Sequence, residues 1–279
     1  MSRLRVGSDE HKRRFCRAFV ETFHAYEPRE IRWPALEPAA RERLRGLPFW
    51  GEAIGSERTA AARVRAMAEI EPDPTLREAI ALQAYEEERH ARLLEGLLAF
   101  YEIPIPDEAP SWPRDPEWGF VRMGYGECFD SFFAFGLFRL AQETGFFPPA
   151  LVEIFDGVMQ EEARHILFFA NWAAYRTGRL PSLRRPAFVV RRGLAIALQA
   201  FGRIRTALDL RRGTRDAENF TMQVPEELAG EDELTLGRFV RTCVDENARR
   251  LAPYDPELLR PRFVPELVGL TLRILPRSG

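Results

Sequence analysis

Cysteine and histidine are scarce in this chain, and each scarcity is informative. The three cysteines, Cys16, Cys128 and Cys243, are far apart and odd in number. They offer neither a disulfide framework nor a C-x-x-C metal knuckle, so a reducing, cytoplasmic setting is the default expectation. No stretch reaches the ~18 uncharged apolar residues of a membrane span. The charged N-terminus, Arg3 to Arg14, lacks the apolar run of a secretory signal. An excess of one charge sign is missing too: 40 basic residues face 42 acidic ones, so nothing electrostatic calls for a nucleic-acid partner. Sustained period-two alternation and Asn-Gly turns are absent, which removes the usual strand signals. With 46% hydrophobic residues over 279 positions, the chain still has ample material for a large core.

Helix signals divide the chain into three parts. In residues 1–46 a helix is expected over 8–26, with Phe15, Phe19, Val20 and Phe23 at helical spacing. A Pro-, Arg- and Glu-rich connection with one short helix follows over 27–46. Residues 47–178 carry four long helices: Leu47 to Ile70, Asp73-Pro74 to Tyr101, Asp115-Pro116 to Gly145, and Pro148-Pro149 to Gly178. Pro104, Pro106, Pro110 and Pro113 enforce a non-helical crossover between the two hairpins. Residues 179–279 read as a helical extension packed on the rest, with helices over 187–209, 235–251 and 257–275, the last open to a break at Pro261 and Pro265, and a loop-rich stretch over 213–234. The fold class expected is all-α, and the three parts are expected to form one compact domain. The arginine-flanked helix 187–209 reads as packing on the bundle or as a homodimer contact, and less readily as a face for an anionic membrane.

Of the four histidines, two sit in a phrase the chain states twice: Glu86-Glu87-Glu88-Arg89-His90 and Glu161-Glu162-Ala163-Arg164-His165. The copies are 75 residues apart, and the same offset relates Glu52 to Glu127, Ser56 to Ser131, and Pro74 to Pro149. In a helix, residues three apart share a face, so Glu87 with His90, and Glu162 with His165, can hold one centre. Ile80, Leu94 and Leu97 flank the first pair and Phe155, Val158, Phe169 and Trp172 the second, so these faces point inward.

Four carboxylates in an apolar interior cost several kcal/mol each unless something cancels their charge. Two divalent cations do so, and carboxylate with imidazole suits iron or manganese better than a thiolate-bound zinc. The expected ligands are Glu52, Glu87 and His90 for one metal and Glu127, Glu162 and His165 for the other, with Glu87 and Glu162 bridging. Glu57 is the rival to Glu52 on its helix, but Phe132 stands at its repeat offset. Glu86 and Arg89, like Glu161 and Arg164, can pair within their helix. The carboxylates can also accept the free imidazole N–H of a ligating histidine across the bundle.

This constellation resembles the ferritin-like di-iron carboxylate proteins. The E-E-x-R-H phrases are similar to the D-E-x-R-H phrases of acyl-carrier-protein desaturases, bacterial multicomponent monooxygenases and ribonucleotide reductase small subunits. The departure is Glu86 and Glu161 in place of Asp. The resemblance covers residues 47–178 and implies a ferritin-like four-helix bundle with two iron ions, or manganese, or a mixed pair. Ribonucleotide reductase subunits place a radical tyrosine where Leu94 stands. The paired C-x-x-C of rubrerythrins is absent. Related monooxygenases place a threonine one turn after a metal-binding glutamate, where Ser131 follows Glu127, so Ser131 is a candidate proton relay. Asp130 is a candidate further ligand or acid.

The activity expected from this resemblance is oxidation of a small apolar or aromatic molecule by O2. Cys128, Phe132, Phe135, Phe168 and Phe169 are the candidate pocket. Without a flavin or nicotinamide fingerprint, electrons come from the substrate or from an external donor such as a ferredoxin or reductase. Ferroxidase or manganese catalase-like chemistry is the first alternative, and a structural metal staple in a non-enzymatic helical protein the second.

Overall fold

Asp-Pro pairs open two of the long helices. Asp73 Oδ1 accepts the backbone N–H groups of Thr75 and Leu76 at 3.0 and 3.2 Å. Asp115 Oδ1 accepts that of Trp118 at 2.9 Å. In both, the proline behind the cap occupies the first helical position, where its missing N–H costs nothing. In the computed structural model, the described residues are 4–47, 49–105, 109–211 and 236–274, with the backbone alone for 206–211, 236 and 270–274. Every regular element among them is helical. The loop expected over 213–234 lies outside the described residues.

In chain order the helices are α1 (Asp9–Glu21), α2 (Pro38–Gly46), α3 (Trp50–Ile70), α4 (Pro74–Phe100), α5 (Pro116–Glu143), α6 (Pro149–Arg179), α7 (Arg185–Arg211), α8 (Leu236–Leu251) and α9 (Phe263–Ile274). A 3-10 turn, Pro28–Glu30, precedes α2. The expected N-terminal helix stops five residues early, at Glu21, where Thr22 turns its hydroxyl back to the Ala18 carbonyl. The last helix starts at Phe263, so Pro265 falls in its first turn and does not break it.

The four long helices α3–α6 pack as two hairpins, α3 with α4 and α5 with α6, joined face to face through α3 and α5. The α4 and α6 sides meet through side chains, and α1 lies across both. The second hairpin is closed by a Schellman turn. Gly145 takes φ +64°, its N–H reaches the Gln142 carbonyl, and the Phe146 N–H reaches the Ala141 carbonyl at 3.1 Å. The end of α4 makes the same turn with Glu102 at φ 57° in the glycine position.

The C-terminal helices cover α5 and α6. Helix α8 comes close to α5 at Gly136, where any Cβ would collide with Cys243. All three cysteines are buried free thiols. Among the described residues, no helix is long and apolar enough to cross a membrane.

Candidate metal centre

Both copies of the repeated phrase turn inward at the same level of α4 and α6. Glu86, Glu87, Arg89 and His90, with Glu162, Arg164, His165 and Glu161, are each less than 8% exposed. The two imidazole rings lie 5.7 Å apart. Ligand atoms of Glu57, Glu87, His90 and Glu162 all fall within 4.8 Å of one another. Glu162 reaches both imidazoles: its Oε1 is 3.1 Å from His90 Nδ1 and its Oε2 is 3.8 Å from His165 Nδ1. Glu87 Oε1 stands 3.2 Å from His165 Nδ1 and accepts from Gln83 Nε2 at 3.1 Å.

Behind the histidines, the flanking carboxylates cross the bundle. Glu161 Oε2 accepts from His90 Nε2 at 2.7 Å, and Glu86 Oε2 from His165 Nε2 at 3.0 Å. Arg89 donates to Glu161 at 2.6 Å and also contacts Glu86 of its own helix at 3.4 Å, while Arg164 pairs with Glu86. Each guanidinium is tied in turn to the N-terminal segment. Arg164 donates to the Phe19 carbonyl at 3.0 Å, an acceptor left open by the end of α1, and Arg89 donates to the His24 carbonyl at 2.8 Å. The rings of Phe19 and Tyr26 cover them, with Arg89 3.9 Å from the Tyr26 centroid.

These contacts fix the orientation of both imidazoles. With Nε2 committed to a carboxylate, the Nδ1 atoms point at the Glu57–Glu87–Glu162 group. Both Nδ1 atoms and Glu162 Oε2 are buried and make no hydrogen bond, although carboxylate oxygens stand around them. Buried polar atoms are otherwise almost always paired. Several such atoms converging on one point fit a cation as the missing partner. The charges agree. Three carboxylates, Glu57, Glu87 and Glu162, share one cluster with the His90 imidazole and no guanidinium within it, a charge that a divalent cation would offset.

Protons take the cations' part in the electrostatics. Burial pushes the Glu57 carboxyl up to about 7, with His90 pulling it down and Glu162 and Glu87 pushing it further up. Burial, then repulsion from Glu162, Glu87 and Glu57, lifts Glu127 well above the carboxylate range. Burial disfavours charged imidazoles, yet Glu161, Glu162 and Glu57 raise His90 well above 6.5, and Glu87 and Glu86 raise His165 to about 10. Burial also opposes ionisation of Glu87, but His165 foremost holds it at about 2.

Glu52 does not join the group; Glu57 takes its place. Five residues turn an α-helix by about 140°, so the two cannot face one centre. The repeat offset misleads here because the hairpins differ in length between the relevant levels. Glu57 lies 13 residues before the end of α3, and residues 71–73 connect it to α4; Glu127 lies 16 before the end of α5, followed by a connection over 144–148. Ser56 is turned to solvent with its hydroxyl on the Ala53 carbonyl at 2.8 Å, whereas Ser131 is buried one turn after Glu127. Asp130, expected as a ligand or acid, is 2.5 Å from Arg203 of α7, an ion pair that draws it outward.

The expected pocket is also corrected. Cys128, Phe132, Phe135, Phe168 and Phe169 are packed solid in the core, Phe168 against Phe15 and Phe19, Phe169 against Tyr125 and Phe120. The open space lies on the other side of the centre. A cavity of about 180 Å³ sits between α3, α4 and α6, with Glu57 and His90 in its wall among apolar side chains such as Trp50, Leu94, Phe155 and Val158. Leu94 and Phe155 were marked in the sequence only as helix-face residues, and α2, which contributes Leu44, carried no signal for a cavity.

No family model, no curated protein and no solved structure matches this chain.

Proposed function

We propose that this chain is a ferritin-like dimetal oxidoreductase that uses O2 to oxidise a small apolar or aromatic molecule. The reading rests on one observation: carboxylates and imidazoles converge at a buried point where both Nδ1 atoms and Glu162 Oε2 make no hydrogen bond. Glu57, Glu87 and His90 would hold one metal and Glu127, Glu162 and His165 the other, with Glu87 and Glu162 shared. Two iron ions suit this oxygen- and nitrogen-rich set, and manganese or a mixed pair is the alternative filling. When bound, the pair would supply oxygen activation and redox equivalents that no side chain here provides.

The protein's own residues do the positioning. Glu161 and Glu86 hold the Nε2 protons, so each imidazole presents Nδ1 inward and stays basic enough to ligate. Arg89 pairs with Glu161 and Arg164 with Glu86, which holds both carboxylates in place behind the rings. The apolar wall beside Glu57 and His90 keeps water from the reacting face. Electrons would come from the substrate or from an external ferredoxin or reductase.

Metal analysis after anaerobic reconstitution, followed by rapid mixing of the reduced protein with O2, tests the proposal. Two equivalents of iron or manganese and a transient visible absorbance that depends on Glu87 and Glu162 are expected. Failure to retain either metal would falsify the reading, and rapid peroxide disproportionation without an organic substrate would favour the catalase-like alternative.

A further inference from the structure

The cavity beside the centre is one-sided. Its polar wall is limited to Glu57 of α3 and His90 of α4; neither Glu127 nor His165 lines it, and the His165 ring lies against Phe19 instead. Trp50 turns its only polar atom away, Nε1 donating to the Leu44 carbonyl at 2.8 Å. Leu93, Leu94 and Leu97 of α4 form one wall and Leu151, Phe155 and Val158 of α6 the opposite one. No lysine or arginine lines it, and no lining side chain offers a hydroxyl or amide.

We infer that this cavity binds an uncharged, hydrocarbon-like molecule of about one aromatic ring plus two or three carbons, with the edge to be oxidised against Glu57 and His90. The inference rests on the dimetal reading for the word oxidised, but not for binding. A dry cavity of about 150 Å³ lined by Leu, Ile and Phe admits benzene, so about 180 Å³ leaves room for a short alkyl arm. In the metal-free protein His90 is already flanked by Glu57, Glu161 and Glu162, so a carboxylate in the ligand would lose its water, gain no free cation and lie beside Glu57. Leu94 sets the width at the level of the centre, one turn after His90, and Phe155 closes the space opposite it.

The test is binding of ethylbenzene and of its charged counterpart phenylacetate to the full chain, with and without loaded metal, read by saturation-transfer NMR and calorimetry. Saturable ethylbenzene binding is expected in both forms, and in the metal-free form it should be at least tenfold tighter than phenylacetate. Leu94→Phe should weaken ethylbenzene at least tenfold, and Phe155→Ala should shift the preference towards butylbenzene by a similar factor, each in protein whose helicity matches the parent. Equal binding of the two probes to the metal-free form, or no change of preference in either variant, overturns the inference. Metal content is measured on the same samples. Metal without ethylbenzene binding removes the cavity assignment alone, and ethylbenzene binding without metal leaves the cavity assignment standing while the oxidase reading falls.

Discussion

Glu161 of α6 and His90 of α4 meet across the bundle at 2.7 Å, a contact repeated in mirror order by Glu86 and His165 at 3.0 Å. Each phrase therefore supplies the histidine of its own half and the orienting carboxylate of the other. Neither copy is complete alone, and duplication of the phrase is what makes the centre self-consistent. Arg89 and Arg164 extend the exchange to α1 and the segment after it, so the N-terminal part is bound to the same network.

The first consequence concerns Arg89, which has no exposed surface and donates to Glu161 at 2.6 Å. Removing one member of a buried pair leaves the other charge without its partner, at about 3–5 kcal/mol. Arg89→Met is expected to lower unfolding stability by that order, and Arg89→Met with Glu161→Gln to recover part of it. Urea unfolding of the single and double variants measures the coupling.

Glu52 and Glu57 give the sharpest test of ligand identity. Glu57→Gln should reduce bound metal by at least half, because it removes a charged ligand at the group where four side chains come within 4.8 Å. Glu52→Gln should leave the metal content unchanged. Elemental analysis of both proteins after identical loading decides between them; the reverse pattern would restore the sequence-based assignment.

Much of this centre was legible before any coordinates. The E-E-x-R-H spacing put Glu87, His90, Glu162 and His165 on inward faces, and the extra Glu and Arg supplied their cross-bundle partners. The all-α class followed from the caps at Asp73 and Asp115 and the prolines of the crossover. What misled was the assumption that one offset governs all four helices. The phrase positions are anchored to Pro74 and Pro149, equally far from each His, whereas α3 and α5 are joined to α4 and α6 by connections of different length. The cavity was illegible for another reason: a void depends on how side chains from α2, α3, α4 and α6 fail to meet, and helical periodicity cannot separate a filled apolar face from an open one.

Metal loading should release protons. Without a cation His90 and Glu127 lie well above their usual values, His165 near 10 and Glu57 near 7, so at neutral pH the centre carries protons, the one on His165 foremost, that a metal must displace. Release of at least one proton for a filled centre is expected, and affinity should rise with pH. Calorimetric titration in buffers of different ionisation enthalpy reads the number directly. A value near zero would mean that the carboxylates and imidazoles are not displaced by the metal.

Gly145 offers a test of the closing turn of α5. At φ +64° a side chain is strained even though nothing lies near the position of its Cβ. Gly145→Ala is expected to cost about 1 kcal/mol and to lower the melting midpoint by a few degrees, with no change in metal content.

His11 ties the N-terminal helix to α6 and to the C-terminal segment, and it carries a pH dependence separate from the metal centre. Its Nε2 meets Asn171 Oδ1 at 2.9 Å, its Nδ1 accepts from the Gly7 N–H at 3.3 Å, and Asn171 bonds both the N–H and the carbonyl of Leu259. Burial lowers the His11 pKa below 6.5, outweighing the opposite effect of the Asn171 hydrogen bond. The folded ring is thus neutral at a pH where the unfolded ring binds a proton. The stability it contributes is fully present above about pH 6.5 and is lost as pH falls from there towards the folded value, by at most about 1.4 kcal/mol per pH unit. In His11→Gln this portion of the slope should vanish, so the difference in unfolding free energy between parent and variant should narrow on going from pH 7.5 to 5.5. A difference that stays constant over that range would show that His11 does not titrate on unfolding.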